Sequence, residues 1–143
     1  MRNLLDVNVW LTLLDDGHVH HPAVRRWWEK LEEQEAAFCR ITQMSLLRLL
    51  TNGRVMGDGV LKPAEAWKLY RKTCEDDRVI FLREPDHLEE LWESNSRGSR
   101  ISSSVWTDAY LAAFARGHEI RLVTLDEGFR HFSDLDWLLI KDD

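Results

Sequence analysis

The chain has 143 residues, 44% of them hydrophobic and 31% charged, with 19 Lys and Arg against 25 Asp and Glu for a net charge of −6 when the histidines are neutral. A chain of this size buries roughly two-thirds of its unfolded surface, so a hydrophobic core suffices to hold it, and disordered, collagen-like and disulfide-dependent classes are excluded. The acidic balance excludes indiscriminate coating of nucleic acid, which runs on phosphate neutralisation and counterion release, but it leaves room for a nuclease with a local basic track.

Taken in chain order, Asn3 to Asp6 with an extension through Val9 predicts a short buried strand, after which Trp10, Leu11, Leu13 and Leu14 continue as a helical turn or more. Pro22 opens an amphipathic helix with Val24, Trp27, Trp28 and Leu31 on its apolar face. Ala36 to Ile41 predicts a second buried strand, and Thr42 an N-cap for a helix carrying Leu46, Leu47, Leu49 and Leu50, which stops near Asn52 and Gly53. A loop through Gly57, Asp58 and Gly59 leads to Pro63, the start of a helix with Ala66, Trp67, Leu69, Tyr70 and Cys74. Val79 to Leu82 reads as a third strand, and Asp86 as the cap of a helix through Leu88, Leu91 and Trp92. Ser94 to Arg100 is polar enough to predict a surface loop.

A helix from Ser103 or Ser104 to Arg116 follows, closed by Gly117; Ile120 to Thr124 and Trp137 to Ile140 are the last two strands. Strands alternating with helices, and apolar on both faces, imply a three-layer α/β domain around a mostly parallel sheet of about five strands. Internal repeats and linker-like stretches are absent, so residues 1–143 read as one domain. Cys39 and Cys74 form no CxxC pair and suit a reduced compartment. With no apolar run near the ~20 residues of a membrane span and no signal-like start, the expected location is the cytoplasm.

In such a sheet, ligands bind at the carboxyl ends of the strands, the edge at which the intervening helices begin. Asp6 ends the first strand, Asp126 follows the fourth, and Asp108 lies in the first turns of the helix that leads into the fourth. Each alone suits a turn cap or an arginine partner. Three gathered at one edge repel one another unless a cation neutralises them, and a hard ion such as Mg²⁺ would do so while positioning water against a phosphodiester.

These segments resemble the PIN-domain ribonucleases, specifically VapC-type toxins of bacterial toxin–antitoxin pairs. The resemblance spans Leu5 to Trp10, Thr42 to Asn52, Thr107 to Ala115 and Thr124 to Phe129, in the family's order and spacing. It implies a PIN-like α/β/α fold and a Mg²⁺-dependent endoribonuclease, with Mn²⁺ as substitute, that hydrolyses RNA by metal-activated water. Asp6, Asp108 and Asp126 match the family's acidic positions, and Asn8 a polar position beside the first aspartate. A cognate antitoxin and a homodimer are implied as well. Where many PIN domains carry a glutamate on the helix after the second strand, this chain offers Gln43 and Arg48, which puts a second metal ion in question; a catalytically weak RNA-binding or regulatory module is the alternative. Thr124 joins Asn8, Gln43 and Arg48 as candidates to support the acids or bind phosphate, with Arg48 suited to bidentate phosphate contact.

Arg97 and Arg100 before the Asp108 helix, and Arg130 and His131 after Asp126, put positive charge on both sides of the acids, and the arginines are candidates for a short RNA track. His18, His20 and His21 lie in a loop without cysteine partners, which favours solvated histidines over a zinc site. His87, His118 and His131 are isolated in sequence, so a Ser/His/Asp triad is unsupported. A haloacid-dehalogenase-type phosphotransferase needs a second aspartate where Asn8 stands. Trp27, Trp67 and Trp92 are expected mostly in the core, with Trp28 a candidate for an exposed interface.

Overall fold

A computed structural model describes residues 1–142. Five strands, β1 (Asn3–Leu5), β2 (Ala36–Phe38), β3 (Val79–Phe81), β4 (Arg121–Thr124) and β5 (Trp137–Leu139), form one sheet in the order β3-β2-β1-β4-β5. Every pairing is parallel. From β1 the chain first builds outward through β2 and β3, then returns to add β4 on the other side of β1. The carboxyl ends of β1 and β4 therefore flank the point at which strand order reverses, the place where parallel α/β sheets open a ligand crevice.

The strands send alternate side chains to two separate cores. Leu4, Ala37 and Leu122 pack with Phe114 and Phe129 under α6 (Leu88–Arg97) and α7 (Val105–Gly117). Leu5, Phe38 and Val123 pack on the opposite face with Trp10 of α1 (Val7–Leu13), Val24 and Trp28 of α2 (His21–Trp28), Leu46 of α3 (Arg40–Leu50) and Tyr70 of α5 (Pro63–Cys74). Burial on both faces is what the near-continuous apolar strands require, and it makes the three-layer arrangement expected from the sequence. Trp10 stacks on Phe38 with ring centroids 3.8 Å apart and meets Trp28 edge-on at 5.8 Å.

Several boundaries differ from the sequence expectation. β1 ends at Leu5 rather than running to Val9, because the Asp6 carboxylate accepts the Val7 amide (2.7 Å) and caps α1 at once, leaving Val9 buried on a helix. β2 likewise ends at Phe38, and Cys39, not Thr42, is the N-cap of α3. Thr42 sits inside the first turn, where its hydroxyl accepts from the Cys39 amide (3.0 Å) and donates to the Cys39 carbonyl (3.1 Å). α6 starts after His87, which holds a left-handed backbone (φ 64°), rather than being capped by Asp86.

The polar stretch Ser94 to Arg97 is helical, not a loop. Asn95 donates to the Ala109 carbonyl of α7 (3.1 Å), and Ser99 closes the end onto the Asn95 carbonyl (2.8 Å), so tertiary hydrogen bonds supply what apolar burial does not. A short helix α4 (Gly53–Met56) follows α3, and a 3₁₀ turn Gly57–Gly59 occupies the predicted loop. The tryptophan expectation is reversed in part: Trp28 is buried (3% exposed), whereas Trp67 and Trp106 are 43% and 63% exposed. Among the described residues no helix is long and apolar enough to cross a membrane.

Candidate active site

The register Leu5 opposite Val123 sets Asp6 beside Thr124 where the two strands end, and the Asp6 amide still donates to the Val123 carbonyl (2.9 Å). One carboxylate oxygen of Asp6 caps α1; the other accepts from the buried Thr124 hydroxyl (2.8 Å). That same hydroxyl accepts from the Asp126 amide (3.0 Å) and, at a longer 3.5 Å, from the Asn8 side-chain amide. Asn8 also accepts from the Leu125 amide (3.3 Å). Thr124 is thus a hub that links the ends of β1 and β4 and fixes Asp6 relative to the segment carrying Asp126.

Asp6 is only 8% exposed. Burial pushes its carboxyl up to about 6 from an ordinary 3.8, against the opposing hydrogen bonds from Thr124 and Val7, and the charges of Asp108 and Asp126 add to the rise. Asp108, half-buried near the start of α7, is also raised, first by burial; Asp126 raises it further, while a hydrogen bond from Ser104 and the proximity of His131 pull it back. Asp126 leads into the 3₁₀ turn Glu127–Phe129, where its carboxylate accepts the Gly128 amide (2.9 Å). A Cβ on Gly128 would come within 3.2 Å of the same carboxylate, tighter than ordinary contact, so an added methyl group would have to push the Asp126 side chain aside.

Asp108 and Asp126 line a cleft of about 480 Å³ with Arg100, Ser104, Gly128 and His131. The structure therefore brings together Asp6, Asn8, Asp108, Thr124 and Asp126, with Arg100 nearby. The other candidates lie differently. Gln43, in the first turns of α3, is buried and accepts from the Arg40 guanidinium. Arg48 is near the far end of α3 and borders a groove with Trp67, over a helical turn from Gln43.

Arg97 pairs with Glu93 and borders a different groove beside Trp92 and Trp106. Arg130 pairs with Glu127 (3.2 Å) and lies 5.9 Å from the Trp137 ring centroid. His20 pairs with Asp142 (2.8 Å), and the His21 ring bonds the Thr12 carbonyl (2.8 Å). Ser104, read from the sequence only as a helix-start residue, now belongs to the site, and His131, read there as positive charge just after Asp126, comes close to Asp108. Ser104 is four residues before Asp108 at a helix start, a spacing that could have flagged it.

The donor chemistry fits a hard divalent cation: three carboxylates, two with raised affinity for protons because they are buried near like charge, and no thiolate. Among the described residues, no three His, Cys, Asp or Glu side chains stand close enough to enclose an ion by themselves.

The chain is thus an α/β protein whose parallel sheet gathers carboxylates where its strand order reverses. The PIN domain family model matches residues 4–135. The chain is 42% identical over 142 residues to ribonuclease VapC41 of Mycobacterium tuberculosis, covering 96% of this chain and 97% of that protein. In fold it is similar to VapBC-1 of nontypeable Haemophilus influenzae (TM-score 0.71, 17% identity, 99% and 100% of the two chains). It is also similar to M. tuberculosis VapC20, a toxin described as cleaving the sarcin-ricin loop (TM-score 0.67, 19% identity, 92% and 95% of the two chains). The chain belongs to the PIN domain family, in its VapC ribonuclease group.

Proposed function

We propose that this protein is a divalent-metal-dependent endoribonuclease acting as the toxin of a toxin–antitoxin pair, with Mg²⁺ as its ion and Mn²⁺ as a substitute. The observation that carries this reading is the buried Asp6 carboxyl, pushed up to about 6 and coupled to Asp108 and Asp126 where strand order reverses. Burial of an acid among acids is costly and persists where function needs it. The group similarity to VapC41 supports RNA as the substrate.

Asp6, Asp108 and Asp126 would hold the ion, which when bound screens phosphate charge and lowers the pKa of an attacking water. The chain's own residues prepare that site. Thr124 donates to Asp6 and favours its ionised form, the form a cation needs. Asn8 ties the Leu125 segment to α1, and Ser104 orients Asp108. Arg100, in the cleft wall, would meet the phosphate. Gln43 contributes no charge and is engaged with Arg40, which favours one tightly held ion over two. Hydrolysis by water would leave a 3′-hydroxyl and a 5′-phosphate.

Pairing with an antitoxin, assembly as a homodimer, a single-domain chain and residence in the cytoplasm complete the proposal. Purified, antitoxin-free protein is expected to cleave a mixed RNA pool with Mg²⁺ or Mn²⁺ and not with EDTA, with activity lost in Asp6→Asn and Asp108→Asn. A folded wild type that cleaves nothing in either metal would replace this reading with a catalytically weak RNA-binding or regulatory module.

A further inference from the structure

The carboxylate cleft does not end at His131. A second cavity of about 240 Å³ opens on the other side of that residue, and the two share Gly98, Ser99, His131 and Phe132 in their walls. His131 is thus common to the walls of both, and it lies close to Asp108. A nucleotide whose phosphate lies at the acids would reach this second cavity with its base after crossing His131.

The lining suits a base rather than another phosphate. Arg116 is the cation there, and Asp134 stands beside it at 3.6 Å, so its charge is largely neutralised. That separation exceeds a good hydrogen bond, which leaves guanidinium donors and carboxylate acceptors for a ligand edge. Asn95 spends its side-chain nitrogen on the Ala109 carbonyl (3.1 Å), which fixes the amide and leaves its oxygen as an acceptor. Ser99 spends its proton on the Asn95 carbonyl (2.8 Å) and keeps acceptor lone pairs. The exposed His131 ring lies 4.0 Å from the Phe132 ring centroid at 38°, giving the shared wall an aromatic surface. A small cavity with one aromatic wall and fixed donors and acceptors is how unpaired bases are held, whereas a duplex keeps its bases stacked and their edges occupied.

We propose that this second cavity holds one unpaired nucleobase of a single-stranded RNA, next to the phosphate bound at the acids, with His131 as the divider over which the backbone passes. This rests on the ribonuclease reading above and adds the form of RNA that it takes.

The test titrates the intact protein with the four nucleoside 5′-monophosphates, with ribose 5-phosphate and with a single-stranded tetranucleotide, followed by amide shifts in ¹H–¹⁵N spectra, in Ca²⁺, a hard cation that carboxylates hold and whose bound water is less acidic than that of Mg²⁺, so that the phosphate has its counter-ion while cleavage stays slow. At least one monophosphate is expected to shift the amides of Ser94, Ser99, Ser133 and Asp134 while ribose 5-phosphate leaves them in place. The tetranucleotide is expected to bind about tenfold tighter than the monophosphate. Ser133→Trp and Ser94→Tyr, both at exposed positions away from the acids, should fill the cavity from opposite sides and weaken the tetranucleotide about tenfold. Shifts as large with ribose 5-phosphate as with any nucleotide would overturn the base assignment, as would no shifts at these amides. Equal affinity for monophosphate and tetranucleotide would overturn the assignment to RNA, and wild-type affinity in both filled variants would remove the cavity from the binding site. Failure of the ribonuclease reading shows separately, as absence of metal-dependent cleavage.

Discussion

Replacing Asp6 by Asn should stabilise the metal-free protein near neutral pH and weaken it in acid. The folded protein holds the Asp6 proton up to about 6, against 3.8 for the model carboxyl. Between those values the folded state binds more protons than the unfolded one, so the stability present below pH 4 is lost as pH rises through 6. At 1.36 kcal/mol per tenfold, that loss is about 3 kcal/mol above pH 7. Asparagine carries no charge and escapes it, and keeps an oxygen for the Val7 amide, but it gives up the acceptor that Thr124 uses, worth about 1 kcal/mol.

The balance is a gain of about 2 kcal/mol at pH 7.5, or roughly 4–8 °C for a chain of this size, and a loss of about 1 kcal/mol at pH 4. Urea denaturation in EDTA from pH 4 to 8 measures both. With millimolar Mn²⁺ the order at pH 7.5 should invert, because only the wild type gains binding energy from the ion. A difference between the two proteins that does not change with pH would refute the raised carboxyl and with it the reason given for the site's metal affinity.

Thr124→Val removes the hydroxyl between Asp6 and Asp126 without changing shape; it should cost about 1–3 kcal/mol by denaturation and lower metal affinity measured calorimetrically, because Asp6 then holds its proton still more tightly. Gly128→Ala should leave the fold intact by circular dichroism yet weaken metal binding severalfold, since the new methyl displaces the Asp126 carboxylate. Arg100→Ala should weaken RNA binding and flatten its salt dependence by about one unit of slope, whereas Arg97→Ala, at a residue engaged with Glu93 and facing another groove, should do neither in the same filter-binding assay. Gln43→Glu should pair with Arg40 and leave calorimetric stoichiometry at one ion; a second equivalent would show that charge at this position alone had been missing.

The layered fold was legible because alternating apolar strands and amphipathic helices admit few arrangements, and the acids because such a sheet puts its ligands at one edge. Boundaries were harder to read where a single hydrogen bond decides them. Val9 and Ile41 read as strand because both are β-branched and apolar, yet Asp6 and Cys39 start helices ahead of them. Ser94 to Arg97 misled for the opposite reason: a helix held to α7 by Asn95 shows little apolar periodicity there. Arg97 and Arg100, three positions apart, looked equivalent until the end of α6 sent them into different hollows. His131 was legible as positive charge just after Asp126, but its nearness to Asp108 was not, because that residue is distant in sequence and the turn built on Asp126 and Gly128 brings them together.

Asp6 is where folding and function compete. Its backbone ends β1, its side chain starts α1, and its burial follows from the close pairing of β1 with β4 that both cores need. The position that makes this carboxylate costly to ionise also strengthens its attraction for a cation, because the same loss of water raises the energy of the bare charge and deepens its Coulomb interaction with an ion. Thr124 holds the balance: its hydrogen bond makes ionisation easier without exposing the group to water. A more exposed Asp6 would fold at less cost and, on the proposed reading, hold an ion more weakly, so the cost of ionising Asp6 near neutral pH and the proposed affinity for metal would share one structural cause.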